Sequence, residues 1–188
     1  RMTGAVPSTS PSSSRTPPPI RVTVLGCGSS GGVPLPTGRW GRCDPENPRN
    51  RRRRSSILLE INEKTILVDT GPDLRDQLLT FGPPEKLDAV ILTHYHADHL
   101  HGIDDIRHFV YKRSSAMPVF LLPETEAHIR ANMRYIFEGA SWYPPLFEPK
   151  VIEPRAEIID VEIEGLTFQL WRQPHSSVET IGLRIGGF

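Results

Sequence analysis

Six residues, His94-Tyr95-His96-Ala97-Asp98-His99, follow closely on the apolar run Leu87 to Leu92. Imidazole and carboxylate suit zinc and other divalent first-row metals. With side chains at i, i+2, i+4 and i+5, one short loop can serve two neighbouring ions. The chain has 7 His and 9 Asp in 188 residues. A fixed HxHxDH then has odds of roughly 2 or 3 in a million per position, or about one in two thousand for the whole chain. The plain alternative, a polar loop of solvated histidines, is disfavoured on that ground.

The surroundings predict where the motif sits. Leu87-Asp88-Ala89-Val90-Ile91-Leu92 has the pattern of a buried strand, and Leu100, Ile103, Ile106, Phe109 and Val110 recur at helical spacing from Asp98 onward. The cluster is therefore expected where a strand hands over to a helix, the carboxyl edge at which α/β proteins place ligands. A second acidic loop, Asp69-Thr70-Gly71-Pro72-Asp73, follows the strand-like Thr65-Ile66-Leu67-Val68. Asp69 would end its strand beside the histidines and orient a ligand imidazole from behind; a turn residue or cap before Leu74 is the simpler alternative.

Three stretches resemble the metallo-β-lactamase superfamily, within it the phosphodiesterases related to phosphoribosyl cyclic phosphodiesterase and to the tRNA 3′-processing endonuclease. They are Val24-Leu25-Gly26-Cys27-Gly28-Ser29-Ser30-Gly31-Gly32-Val33-Pro34, Leu67 to Asp73, and Thr93 to Gly102. The resemblance implies a four-layer αββα sandwich, an α/β fold, over residues 20–188. It implies that His94, His96 and a later histidine hold one ion, and that Asp98 and His99 hold a second. The later histidine is expected at the end of another strand. His175 meets this: it follows the alternating Gly165 to Trp171 and precedes a Ser-Ser turn and the strand-like Ile181 to Ile185. The metal-bridging Asp and the further His that such relatives supply later do not occur before Phe188, so the sandwich is expected to be incomplete at its carboxyl end and the second site short of ligands. His101, His108 and His128 are read as bystanders, with His101 near enough to line the site.

Composition narrows the picture. Residues Thr3 to Pro19 are almost all Ser, Thr and Pro without apolar periodicity, so 1–19 are expected to form a disordered tail. No apolar run approaches the ~20 residues that span a bilayer, no signal core is evident, and the cytoplasm is the default. Cys27 and Cys43 do not suggest a disulfide framework; Cys27 is expected to pack in the glycine turn. Lys plus Arg equals Asp plus Glu, 22 each, so no overall field attracts nucleic acid. The local exception is Arg49-Asn50-Arg51-Arg52-Arg53-Arg54. Guanidinium forks match phosphate oxygens, and Arg51 and Arg53, on one face by alternation, are candidate substrate contacts. A solvated loop is the plain alternative. Gly26, Gly28 and Gly31 have dinucleotide spacing, but Val33-Pro34-Leu35-Pro36 forbids the helix that motif requires; they are read as a turn at the active-site edge.

Further along, Asp73 to Phe81, Asp98 to Val110 and Pro123 to about Phe137 predict helices. Met117 to Leu122 predicts a strand and Gly139 to Pro149 a loop. Ala156 to Val161 and Thr167 to Trp171 predict a hairpin across Glu162 to Leu166. The chemistry expected is hydrolysis of a phosphodiester by a water activated on two zinc ions, with manganese as a substitute metal and Asp98 steering the water's proton. The partners expected are a small phosphodiester and, second, RNA, with a homodimer left open and no membrane. Rival readings are a thioester or lactam hydrolase or a tRNA-processing nuclease of the same fold, and a non-catalytic metal-binding fragment.

Overall fold

The computed structural model describes residues 19–154 and 157–188. Of the tail expected at 1–19, all but Pro19 lies outside them. The chain folds as β1 (Ile20–Gly26), β2 (Ser56–Ile61), β3 (Lys64–Val68), α1 (Leu74–Phe81), β4 (Ala89–Ile91), α2 (Ala97–Leu100), α3 (Arg107–Arg113), β5 (Met117–Leu121), α4 (Pro123–Asn132), α5 (Tyr135–Glu138), β6 (Phe147–Val151), β7 (Ile159–Ile163), β8 (Leu166–His175) and β9 (Val178–Arg184). β1 to β6 form one sheet in chain order, antiparallel up to β3 and parallel beyond it, and β7 to β9 form an antiparallel second sheet.

The inner strands β2 to β5 of the first sheet are buried on both faces, which is why they read as nearly unbroken apolar runs. One side chain of each neighbouring pair faces the helices and the next faces the second sheet. Leu58, Leu67, Val90, Val119 and Leu121 pack with Leu74 and Leu78 of α1, Ile103 and Ile106 of the turn before α3, Val110 of α3 and Ile129 of α4. Leu59, Ile66, Val68, Ala89, Ile91 and Phe120 pack with Ile163, Phe168, Leu170 and Ile181 across the gap between sheets. This gives three layers, helices, large sheet and small sheet. The outer helical layer implied by the resemblance has no counterpart among the described residues.

Several elements differ from the sequence reading. The helix expected from Asp98 to Val110 is broken: α2 ends at Leu100, a 3-10 turn covers Ile103–Ile106, and α3 starts at Arg107. Gly102 marks the break, since its amide donates to the Thr70 carbonyl (2.7 Å) and the chain is held by the neighbouring loop rather than by its own helix. The helix expected to reach Phe137 stops at Asn132 and resumes as α5 after Met133. The loop expected to run to Pro149 gives way at Phe147 to β6, parallel to β5; Pro149 is tolerated there because β6 is an edge strand. The hairpin turn is Glu164-Gly165 alone, both at positive φ (53° and 79°), the geometry that two-residue hairpin loops need. Part of the strand expected from Ala156 falls on residues outside the described set. Cys27 is exposed rather than packed.

Candidate metal centre

The histidine motif begins three residues past β4, and its backbone is stitched to the loop that follows β3. The Thr70 amide donates to the His99 carbonyl (2.7 Å), and the Thr70 hydroxyl to the Leu100 carbonyl (3.2 Å). Ion pairing holds the outer side of the same loop: Asp73 accepts from the Arg54 amide at 2.8 Å and pairs with its guanidinium at 3.1 Å. On the other side, the Ile181 amide donates to the Thr93 carbonyl (3.0 Å). That bond ties β9 of the small sheet to the residue just before the motif, and the β8–β9 hairpin carries His175 to the same place.

Three imidazoles therefore meet from two sheets. One ring nitrogen each of His94, His96 and His175 lies within 4.8 Å of the others. Ring centroids are 4.7 Å apart for His94 and His96, 4.7 Å for His94 and His175, and 5.3 Å for His96 and His175. His94 is buried, and His94 Nε2 faces His96 Nδ1 at 3.1 Å. Burial, with three neighbouring imidazoles adding repulsion, pushes the His94 pKa down to about 3. Three converging imidazole nitrogens, one on the buried His94, one on the half-buried His96 and one on the exposed His175, are a donor set that fits a divalent cation.

His99 stands next to this group, its ring centroid 4.2 Å from that of His94. Its Nδ1 lies 2.6 Å from Asp69 Oδ2 and its Nε2 3.4 Å from Asp98 Oδ2. Burial lowers the His99 pKa, but the hydrogen bond and charge of Asp69, with the charge of Asp98, outweigh it and raise the value overall. Asp69 directs the ring so that Nε2 is turned toward Asp98. A carboxylate and an imidazole nitrogen thus stand side by side, adjoining the triad of imidazoles.

Asp69 is buried and sits at φ 64°, a left-handed conformation that Asp tolerates better than most residues. Its Oδ1 accepts the Thr93 amide at 2.8 Å. The Thr93 hydroxyl bonds both carboxylate oxygens and lies 3.0 Å from His94 Nδ1, and Thr180 Oγ1 of β9 lies 3.3 Å from the same nitrogen. Sequence reasoning missed both threonines. Thr93 had a signal, its place between strand and motif, whereas Thr180 stands 86 residues from its partner and had none.

Arg51 and Arg53 are placed elsewhere. The Arg51 guanidinium lies over the Trp40 ring at 5.0 Å, and Arg53 pairs with Asp76 and donates to Thr80. With Cys27, Val33 and Phe81 they line a cleft whose walls contain none of the clustered histidines. The glycine turn serves this segment: a Cβ on Gly26 would lie 2.1 Å from the Arg54 carbonyl oxygen, so close packing on the arginine strand explains the glycine. Beside the cluster itself is an open cleft lined by Tyr95, Glu124, Arg172, Ser176, Ser177 and Glu179. Tyr95 is stacked on His128 at 4.6 Å, and Arg172 bridges Glu124 and Glu179. His101 and His108 are exposed and do not belong to the triad of converging nitrogens.

A family profile described as "Beta-lactamase superfamily domain" matches residues 64–187. The chain is 33% identical over 168 residues to an octanoyltransferase of Porphyromonas gingivalis, a match covering 89% of this chain and 33% of that protein. It is 40% identical over 117 residues to the exodeoxyribonuclease WalJ of Streptococcus pneumoniae, covering 60% of this chain and 41% of that protein. Among solved structures it is similar to a diphosphatase of the PhnP family, with a TM-score of 0.72 at 32% identity, over 89% of this chain and 62% of the other. The chain spans between a third and about two fifths of the length of these curated relatives.

Proposed function

The chain belongs to the metallo-β-lactamase superfamily, and from that premise we propose that it is the metal-binding part of a hydrolase acting on phosphodiesters. The observation that carries this is the meeting of His94, His96 and His175 from two sheets, with Asp98 and His99 alongside. His94, His96 and His175 would hold one divalent cation and Asp98 and His99 a second, with zinc the metal that best suits nitrogen donors of this number and manganese a substitute. When bound, such ions supply Lewis acidity and a water acidic enough to attack near neutral pH.

The chain's own residues do the rest. Asp69 holds His99 with Nε2 toward the second position. Asp98, as a ligand beside that position, would also steer the proton of the attacking water. The open cleft beside the cluster admits the substrate, with Tyr95 and Arg172 on its wall. Supporting the phosphodiester reading is the exodeoxyribonuclease among the similar proteins, and the PhnP-family diphosphatase supports hydrolysis at phosphorus more generally.

The test is hydrolysis of bis(p-nitrophenyl) phosphate after chelation and re-addition of Zn²⁺ or Mn²⁺. A metal-dependent rate that His96→Ala removes supports the proposal. Hydrolysis of a thioester with none of the phosphodiester favours the thioester or lactam reading. Metal uptake with no turnover on any substrate reduces the chain to a metal-binding module. A nuclease reading is favoured by one observation, the exposed Arg49, Arg51 and Arg52; faster cleavage of a single-stranded oligonucleotide than of the small ester would decide for it.

A further inference from the structure

We propose that Thr93 is a positioning residue: its hydroxyl transmits the hydrogen-bond demand of Asp69 to His94 and so fixes which nitrogen of His94 faces the cluster. This rests on the reading of His94 as a cation ligand.

The reasoning is a count of protons. An ionised carboxylate only accepts hydrogen bonds, and a hydroxyl has one proton to give. Thr93 Oγ1 lies 3.0 Å from Asp69 Oδ1 and 2.8 Å from Oδ2, so that proton is committed to the carboxylate. What the hydroxyl presents to His94 Nδ1, 3.0 Å away, is a lone pair. Nδ1 must then carry the ring proton. Nε2 keeps its lone pair, directed toward His96 Nδ1 at 3.1 Å, and the nitrogen that carries no proton is the one able to bind a metal.

Thr180 works in the same sense from the small sheet. Its hydroxyl donates to the Thr93 carbonyl (3.4 Å), leaving a lone pair 3.3 Å from the same His94 Nδ1. On the far side of the carboxylate, Asp69 Oδ2 accepts a hydrogen bond from the Nδ1–H of His99 at 2.6 Å. One buried carboxylate thus sets two imidazoles, His99 directly and His94 through a hydroxyl. The two rings stand 4.2 Å apart, centroid to centroid, so both tautomers are fixed from behind within one compact site.

Packing alone would make a different demand on residue 93. Valine keeps the shape of threonine and loses the hydroxyl, while serine keeps the hydroxyl and loses the methyl group. The experiment measures ¹⁵N chemical shifts of His94 and His99 in the metal-free protein, and zinc affinity by competition with a chromophoric chelator. The expected wild-type pattern is a protonated Nδ1 and a bare Nε2 on both rings. Thr93→Val is expected to mix the tautomers of His94, leave His99 unchanged, and weaken zinc binding about ten- to a hundredfold. Thr93→Ser should resemble wild type, and Asp69→Asn should disturb both rings. A wild-type His94 tautomer in Thr93→Val overturns the proposal, as does a loss of zinc affinity in Thr93→Ser equal to that in Thr93→Val. Should the tautomers shift as expected while Thr93→Val and His94→Ala bind zinc like wild type, the relay stands and the reading of His94 as a ligand fails.

Discussion

A Cβ on Gly102 would stand 2.0 Å from the carbonyl oxygen of Gly71. The two glycines let the loop after β3 lie against the turn after α2, and this contact holds Asp69 within reach of both Thr93 and His99. Gly71 has a matching constraint, since its own Cβ would fall 2.3 Å from the Asp98 carbonyl oxygen.

Gly102→Ala is therefore expected to force the two loops apart. Overpacking of this kind costs about 1–3 kcal/mol, to be read from urea unfolding of the metal-free protein, and the zinc affinity of the variant should fall with it. An unchanged unfolding midpoint would show that the loops have room that the geometry denies them.

Phe168, fully buried in β8, fills the gap between the two sheets. Truncation to alanine is expected to cost about 3–5 kcal/mol. Because the same strand ends at His175, the loss should extend to metal binding. Loss of stability with zinc affinity intact would mean that β8 holds His175 in place without that packing.

The titration of His94 gives a pH dependence with a defined sign. Its folded pKa, about 3, lies below the ordinary 6.5, so the unfolded chain takes up a proton that the folded chain refuses. This contribution to stability is present in full above about pH 6.5 and is lost as the pH falls from there toward 3. His99, raised by Asp69 and Asp98 against its burial, acts in the opposite sense, and its stabilisation fades as pH rises through its folded value. The difference in urea midpoint between wild type and His94→Gln, measured without metal from pH 7.5 to 4.5, should shift steadily against wild type on acidification. A difference independent of pH would contradict the assignment.

Arg51→Gln and Arg53→Gln should leave zinc affinity unchanged, because neither guanidinium stands at the cluster. Arg53→Gln removes a partly exposed ion pair worth well under about 1 kcal/mol, so stability should barely move. If these arginines contact substrate as expected, KM for a phosphodiester rises while kcat holds. A fall in zinc affinity in either variant would mean that the arginine cleft and the metal centre are coupled.

How much of this was legible beforehand depends on where the controlling interaction lies along the chain. β2 to β5 were readable because burial on both faces leaves continuous apolar runs. HxHxDH was readable because metal chemistry concentrates rare residue types in a few positions. The break at Gly102 was not, since Leu100, Ile103, Ile106 and Val110 keep helical spacing and what captures the Gly102 amide is the Thr70 carbonyl, distant in sequence. β6 was concealed by Pro149, which is acceptable in a strand only if that strand is at an edge, a fact of topology. Thr180 carried no local signal: it matters because hairpin β8–β9 docks on the first sheet, and no spacing rule reports that docking.

The central claim is that nitrogens from His94, His96 and His175 bind one cation. The direct measurement is X-ray absorption at the zinc edge of protein loaded with one equivalent of Zn²⁺, for wild type and His175→Ala. The account predicts a first shell of nitrogen or oxygen at about 2.0–2.1 Å with the outer scattering of three or more imidazoles, reduced by one in the variant. A shell without imidazole scattering, or one identical in His175→Ala, would contradict it.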